Sequence, residues 1–268
     1  YFSTHNTSAA ISTNAKFLRE TYKTNGTGVT IGMWDGGSGR ISHQEFDGRM
    51  TAVDGATSID HATHVAGTLA ATGVVNNAFG MAPSALVDSY DWTDDLAEMA
   101  SRGATAPGQA NNLYLSNHSY GFIGGWLFVN NGSVVWEWYG NGTGATAFEE
   151  DFGRYHFRSR DQDALAFEAP YYLIFRSAGN DRVDNPSDGQ PVALAPGGDP
   201  VVYSASSHPP GDGNYHGGFD SMAFSAVSKN VVTVGSVSDA VSGGMRDSSV
   251  AMVSSFSSWG PTDDGRVK

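Results

Sequence analysis

The sequence predicts an α/β fold with a doubly wound, mostly parallel central sheet and helices on both of its faces. Three observations support this prediction. Apolar, β-branched runs alternate with stretches of helical spacing, polar residues follow the ends of several runs, and turn-forming Gly is abundant, at 34 of 268 residues. The apolar runs lie at 29–35, 85–90, 112–121, 171–180 and 230–239. In such a sheet ligands bind at the carboxyl ends of the strands, where these polar residues are expected.

Each element follows from its residues. The spacing of Ile11, Phe17 and Leu18 predicts a helix ahead of the turn "TNGTG". The next run, "VTIGMWDGG", predicts a buried strand that ends at Asp35 and opens into a glycine loop. Helix-compatible stretches then lie between the strands, at 61–72, about 92–102 and 160–169.

Two segments interrupt this alternation. Residues 122–158 are rich in aromatic residues, Gly and Asn, and residues 181–221 are rich in Pro, Gly and Asp. Strand signals resume after each of them, so we interpret both as long loops inserted into one domain covering residues 1–268.

The charge and composition of the chain argue against several classes of binding partner. The formal net charge of −13 argues against nucleic acid or an anionic membrane surface, because both would repel the protein. No apolar run is long enough to span a bilayer.

The absence of Cys excludes a disulfide framework, a thiolate nucleophile and a cysteine-ligated metal. The chain opens on "YFSTHN" without an initiator Met, and we expect it to be a piece of a longer precursor.

His61 and His64 lie three residues apart in the stretch "DHATHVAGT". They allow three interpretations: a metal site, a pair of core histidines, or a catalytic base at the start of a helix. The helical zinc motif needs His at i and i+4 with a Glu between them, which this spacing does not provide. Asp35 at one strand end and Asn180 at another favour the catalytic base. An Asp can orient the imidazole, the imidazole can remove a proton, and an Asn amide can bind a developing oxyanion.

Six stretches, taken in order, resemble the landmarks of the subtilisin-like serine peptidases, or subtilases. They are "VTIGMWDGG", "DHATHVAGT", "SNHSYG", "FRSAGN", "KNVVTVGSV" and "SSFSSWGPTDDGRVK". The resemblance extends from about residue 9 to the last residue. It implies that Asp35 is the orienting carboxylate, His61 the general base and Asn180 the oxyanion donor. His64 is then expected to face inward as a packing residue.

The same resemblance implies a substrate site. Ser119, Tyr120 and Gly121 match the strand whose backbone pairs with an extended peptide, which is a form of β-augmentation. The expected substrates are therefore proteins or peptides, and the expected reaction is peptide-bond hydrolysis through an Asp-His-Ser triad and an acyl-enzyme. The expected location is extracellular.

The nucleophile of the triad is missing from the sequence. Subtilases carry it in a Gly-Thr-Ser-Met-Ala motif, which does not occur here. Ser221 is followed by Met and Ala, but it precedes the "KNVVTVGSV" strand, whereas the family's serine comes well after that strand. We therefore expect the serine beyond Lys268, on a C-terminal fragment that would be a partner of this chain. The alternative is a non-catalytic peptide-binding module or pseudoenzyme on the same fold.

The chemistry itself needs no cofactor, and the metal ligands of the chain are not identifiable from the sequence. Many subtilases use calcium structurally, so the resemblance makes a structural calcium site one interpretation of an acidic loop in this chain. Asp181, Asp184 and Asp188 would supply oxygen ligands from one loop, although their spacing matches no EF-hand loop. A solvated acidic loop is the competing interpretation.

Overall fold

The computed structural model describes residues 6–268. Within that part of the chain there are five α-helices and twelve β-strands. The helices are α1 (Asn6–Ser12), α2 (Ala15–Tyr22), α3 (Asp60–Ala70), α4 (Asp95–Arg102) and α5 (Phe157–Glu168). The strands are β1 (Thr30–Asp35), β2 (Met50–Ala52), β3 (Leu86–Asp91), β4 (Leu115–His118), β5 (Trp126–Phe128), β6 (Trp136–Trp138), β7 (Leu173–Ser177), β8 (Pro191–Ala193), β9 (Val201–Val202), β10 (Val232–Val234), β11 (Val241–Ser242) and β12 (Met245–Arg246).

The central sheet has six strands in the order β10-β7-β4-β1-β3-β2. β1 lies in its interior and pairs in parallel with both β3 and β4, and β2 pairs in parallel with β3. Because α3, α4 and α5 separate these strands along the chain, the connections are crossovers, as a parallel sheet requires. The predicted α/β fold with a central parallel sheet is confirmed.

The chain folds into two compact units, and each unit is formed by three separate segments of the sequence. The first unit comprises the chain up to Tyr120 together with 164–175 and 237–252, and it holds β1 to β4 and most of β7. The second unit comprises 121–163, 176–236 and 253–268. β10 belongs to this second unit, where Ala178 just after β7 donates its N–H to Val234 at 2.9 Å.

The core of the first unit holds α3 against the sheet. Ala62, Ala66 and Ala70 recur every four residues on one face of α3 and are fully buried. They pack with Met33 of β1 and Val87 of β3. Small side chains at this spacing let the helix approach the sheet closely, and this fixes the helix on which His61 lies.

The predicted loops at 122–158 and 181–221 are not loops throughout. Their short strands form a four-stranded sheet in the order β5-β6-β8-β9, around the buried side chains of Trp126, Trp138, Val192 and Tyr203. These strands have only two or three residues each. An alternation of apolar and polar residues cannot be recognised over so few positions, so these strands could not be predicted from the sequence. Aromatic burial between these strands is what organises the segment.

Candidate active site

Asp35 and His61 form a hydrogen-bonded pair in the first unit. His61 Nδ1 lies 2.7 Å from Asp35 Oδ1 and 2.8 Å from Oδ2. Since a carboxylate can only accept, Nδ1 carries the proton and Nε2 of the neutral ring is left as the proton acceptor. The Asp35 side chain is 2% exposed and the His61 side chain 57% exposed. A buried carboxylate thus orients an imidazole that is open to solvent.

Local chain geometry brings these two residues together. Asp35 is the last residue of β1, and the N–H of Gly36 donates to its Oδ1 at 2.8 Å. The following loop pairs with the start of α3: Ser38 donates its N–H to Thr57, and Ile59 donates to Ser38, both at 3.0 Å. Gly37 is needed there, because a Cβ on it would lie 2.5 Å from the carbonyl oxygen of Thr57. The first turn of α3 is therefore held beside the end of β1.

Ser119 and Tyr120 follow β4, the strand next to β1 in the sheet. Ser119 Oγ accepts a hydrogen bond from the Asn117 amide at 3.0 Å. The Tyr120 hydroxyl points back into the unit and donates to Asp95 at 2.5 Å. The backbone of this segment belongs to neither a helix nor a strand of the protein itself. Gly121, the next residue, opens the second unit.

Asn180 also belongs to the second unit, where it is exposed and precedes a short 3₁₀ helix at Asp181–Val183. Ser258 binds Asp181, the residue that follows Asn180. The Ser258 Oγ accepts the Asp181 N–H at 3.2 Å and lies 3.1 Å from the Asp181 carboxylate. No sequence motif predicts that Ser258 lies beside the residue that follows Asn180.

Carboxyl groups accumulate near this segment of the second unit. Burial raises the pKa of Asp181 to about 6. Burial, with the neighbouring Asp181 charge, raises the pKa of Asp184 to about 7. Burial also raises the pKa of Asp212 well above its usual value, although Asp212 accepts the Trp126 N–H at 2.8 Å. The second unit therefore contains three acidic groups whose pKa values are raised by burial.

We expect Asp184→Asn to stabilise the protein at pH 8 and to have little effect near pH 4. Because the folded-state pKa is raised, the carboxyl favours folding below its unfolded pKa of about 4, and this contribution is lost as pH rises through about 7. With allowance for partial exposure, the gain at pH 8 is about 1 kcal/mol. Urea unfolding across this pH range measures it, with the exposed Asp199→Asn as control. A gain that is the same at every pH contradicts the assignment.

Two of the three aspartates considered for calcium have different hydrogen-bond partners. Asp188 accepts the N–H of Ala205 at 2.7 Å, whereas Asp181 is bound to Ser258. Between residues 6 and 268, no group of three or more His, Asp or Glu side chains is arranged to hold a metal ion. In the same part of the chain, every helix is too short or too polar to cross a membrane.

Two further residues that the sequence analysis considered, His64 and Ser221, differ in their surroundings from the Asp35–His61 pair. His64 was expected to face inward but is exposed, and it lines a cavity of about 540 Å³ beside α3 together with Arg40 and His43. The reason is helical geometry: Ala62, Ala66 and Ala70 occupy the buried face, so position 64 points elsewhere. Ser221 is fully buried and its Oγ accepts the Trp259 N–H at 3.1 Å, so it is unsuited to be a nucleophile.

Comparison with known proteins decides the family. The model of the subtilase family matches residues 26–268. The chain belongs to the subtilase family. Subtilases are serine peptidases. Asp35 and His61, which are hydrogen-bonded to each other, lie in two of the stretches that resemble the sequence landmarks of this family. No curated protein sequence matches this subtilase.

Solved structures similar to this subtilase are proteases. The Clostridium perfringens CspB protease is 13% identical with a TM-score of 0.57, and the match covers 98% of this chain and 78% of that one. The prenylagaramide maturation protease PagA is 15% identical with a TM-score of 0.52, covering 92% and 63% respectively. A cold-adapted subtilisin-like serine proteinase is 19% identical with a TM-score of 0.45, covering 88% and 61%. The chain thus spans less than two thirds of two of these proteins, and the first two support the shared fold.

Several residues around the site were not found by sequence reasoning. Trp92 is half-exposed, with its ring 5.6 Å from that of Tyr120 and its edge against Gly36. Asp95 and Glu98 of α4 bind Tyr120 and Trp34. The available signal was the spacing of acidic residues in "DDLAEM", which on its own indicates only a helix start.

Proposed function

We propose that this subtilase is a serine endopeptidase that hydrolyses peptide bonds through an acyl-enzyme. The observation that carries the proposal is the hydrogen bond between His61 and Asp35, with Nε2 of His61 free to act as a base. His61 removes the proton of the serine hydroxyl as it attacks the peptide carbonyl, and then returns the proton to the leaving amine. Asp35 holds the ring in the required tautomer and stabilises the imidazolium.

The serine nucleophile is proposed to lie outside these 268 residues. Two observations support this: the chain contains no Gly-Thr-Ser-Met-Ala motif, and Ser221 is buried with its hydroxyl already hydrogen-bonded. The partner that completes the triad is then the polypeptide that follows Lys268, either continuous with this chain or as a separate fragment.

Asn180 is proposed to bind the oxyanion, and Ser119, Tyr120 and Gly121 to pair with the substrate backbone. The exposure of Asn180 supports the first role, because its amide is open to a ligand. The place of this segment supports the second role, because it directly follows β4, the strand next to β1, and belongs to no helix or strand of the protein itself. Substrates are proteins or peptides, and the protein acts outside the cell, which an assay of culture medium against cell lysate tests.

Labelling with a fluorophosphonate tests the proposed chemistry. We expect the full-length protein to react covalently at a serine outside residues 1–268, and the His61→Ala variant to react at least a thousandfold more slowly. Peptide mapping of the adduct identifies the serine. The alternative, a peptide-binding module without catalysis, predicts affinity for peptides with no labelling. Labelling of Ser221 would overturn the placement of the nucleophile.

A further inference from the structure

One helix of the first unit makes polar contacts with strand β1 and with the segment that follows β4. Asp95 and Glu98 lie one turn apart in α4, so their side chains project from the same face. Asp95 accepts the hydroxyl proton of Tyr120 at 2.5 Å, and Glu98 accepts the indole N–H of Trp34 at 2.9 Å. Tyr120 lies on the segment proposed to pair with peptide. Trp34 directly precedes Asp35.

Tyr120 takes part in a chain of hydrogen bonds that passes along β4 and continues to Asp95. The Tyr172 hydroxyl donates to Ser116 Oγ at 2.6 Å, and Ser116 Oγ lies 2.8 Å from His118 Nε2. His118 Nδ1 in turn lies 3.2 Å from the Tyr120 oxygen. Because Tyr120 gives its proton to Asp95, His118 Nδ1–H is the donor to Tyr120, and the whole chain has one direction ending on the Asp95 carboxylate.

Burial makes this arrangement hard to displace. Ser116, His118 and Asp95 have no exposed surface. Moving the Tyr120 hydroxyl would therefore deprive a buried carboxylate of a hydrogen bond that water cannot replace. The His118 ring also stacks on Trp34, with centroids 5.2 Å apart and planes at 14°, so the two strands are in contact at this level of the sheet.

We propose that α4 is a clamp that sets the position of the peptide-pairing segment relative to the strand of Asp35. Asp95 and Glu98 are its positioning residues: Asp95 acts through Tyr120, and Glu98 acts through Trp34. This proposal rests on the proposed function, since it assigns a purpose to the segment that binds substrate. The clamp matters most for long substrates, because only these extend along the segment.

The test compares a long and a short substrate on the full-length protein. The substrates are succinyl-tetra-alanine p-nitroanilide and acetyl-alanine p-nitroanilide. In Asp95→Ala, we expect kcat/KM for the long substrate to fall about tenfold more than for the short one, mainly through a higher KM. In Asp95→Asn, whose amide oxygen still accepts the Tyr120 hydroxyl, most of the difference should be restored.

Tyr120→Phe keeps the test falsifiable if Asp95→Ala does not fold, because it removes one hydroxyl and retains the ring. It should lower the long-to-short ratio in the same way. Tyr172→Phe is the matched control: it deletes a buried hydroxyl from the same hydrogen-bond chain, but at the end remote from Tyr120. We expect that ratio to be unchanged in Tyr172→Phe. Equal losses on both substrates in Asp95→Ala and Tyr120→Phe would overturn the clamp.

Affinity separates failure of the clamp from failure of the proposed function. Binding of acetyl-tetra-alanine amide is measured by calorimetry in the His61→Ala background, where cleavage is suppressed. A protein that binds this peptide, loses affinity about tenfold in Tyr120→Phe, and neither cleaves nor labels in its unmutated form supports the clamp and contradicts the peptidase. Absence of any tetrapeptide binding would overturn both.

Discussion

Replacing Asp35 with Asn in the full-length protein is expected to lower kcat about 10⁴-fold with a smaller change in KM. The carboxylate accepts the Nδ1 proton of His61 at 2.7 and 2.8 Å, and this leaves Nε2 able to take a proton. An Asn amide can instead donate to Nδ1, which places the ring proton on Nε2 and removes the base. Steady-state kinetics on a peptide substrate measure the effect.

Asp91→Asn is the matched control for this prediction. Asp91 ends β3 in register with Asp35 at the end of β1, so both substitutions alter a strand-end carboxyl at the same level of the sheet. The Asp91 carboxylate, however, accepts the N–H of Thr93 at 2.6 Å and has no bond to His61. We expect its variant to stay within about threefold of the unmutated activity. A comparable loss in both variants would mean that the effect of Asp35 is on folding rather than on the imidazole.

The second large effect is expected on stability, from Glu45→Ala. Glu45 is 3% exposed, and its carboxylate accepts the N–H groups of Gly73, Val74 and Val75 at 2.7 to 3.0 Å. The Thr72 hydroxyl donates to the same carboxylate at 3.2 Å. One side chain thus satisfies the turn that follows α3. Removing it deletes four hydrogen bonds to a buried, charged acceptor, and we expect a loss of about 3 kcal/mol in the free energy of unfolding.

The pH dependence of this effect has a definite sign. Burial alone would raise the pKa of Glu45, but the hydrogen bonds from Val75, Gly73, Val74 and Thr72 outweigh it and lower the pKa. The stabilisation is therefore present above the unfolded pKa of about 4.3 and is lost as pH falls through the folded value. Urea unfolding at pH 7 and pH 3 should show the gap between wild type and Glu45→Ala closing at the lower pH.

Glu20→Ala is the control for Glu45→Ala. Glu20 pairs with Lys16 on the surface of α2, where both side chains are exposed, so its removal should have little effect on stability. Equal effects of the two substitutions, or a Glu45→Ala loss that persists unchanged at pH 3, would show that the carboxylate does not hold the turn.

Much of the fold was predictable from local patterns. The strands β1, β3 and β7 each lie within an apolar run of the sequence, extended at most by one residue, and α3 begins within one residue of its predicted start. Such elements are encoded by residues close to one another in the chain, through hydrophobic spacing and turn-forming residues. The pairing of Asp35 with His61 was also predicted, from their places at a strand end and a helix start and from the resemblance to the subtilases.

Packing decided what the sequence could not. His64 follows His61 by three residues in the sequence. The exposure of the His64 side chain, however, depends on which face of α3 is buried, and the alanines occupy that face. The contacts of Glu45 with the turn after α3, and of Asp95 with Tyr120, join residues whose separation along the chain carries no pattern. A carboxylate in a sequence shows only that it can accept hydrogen bonds. Which donors reach it, and whether water is excluded from it, is decided when the chain folds, because both depend on atoms contributed by distant segments.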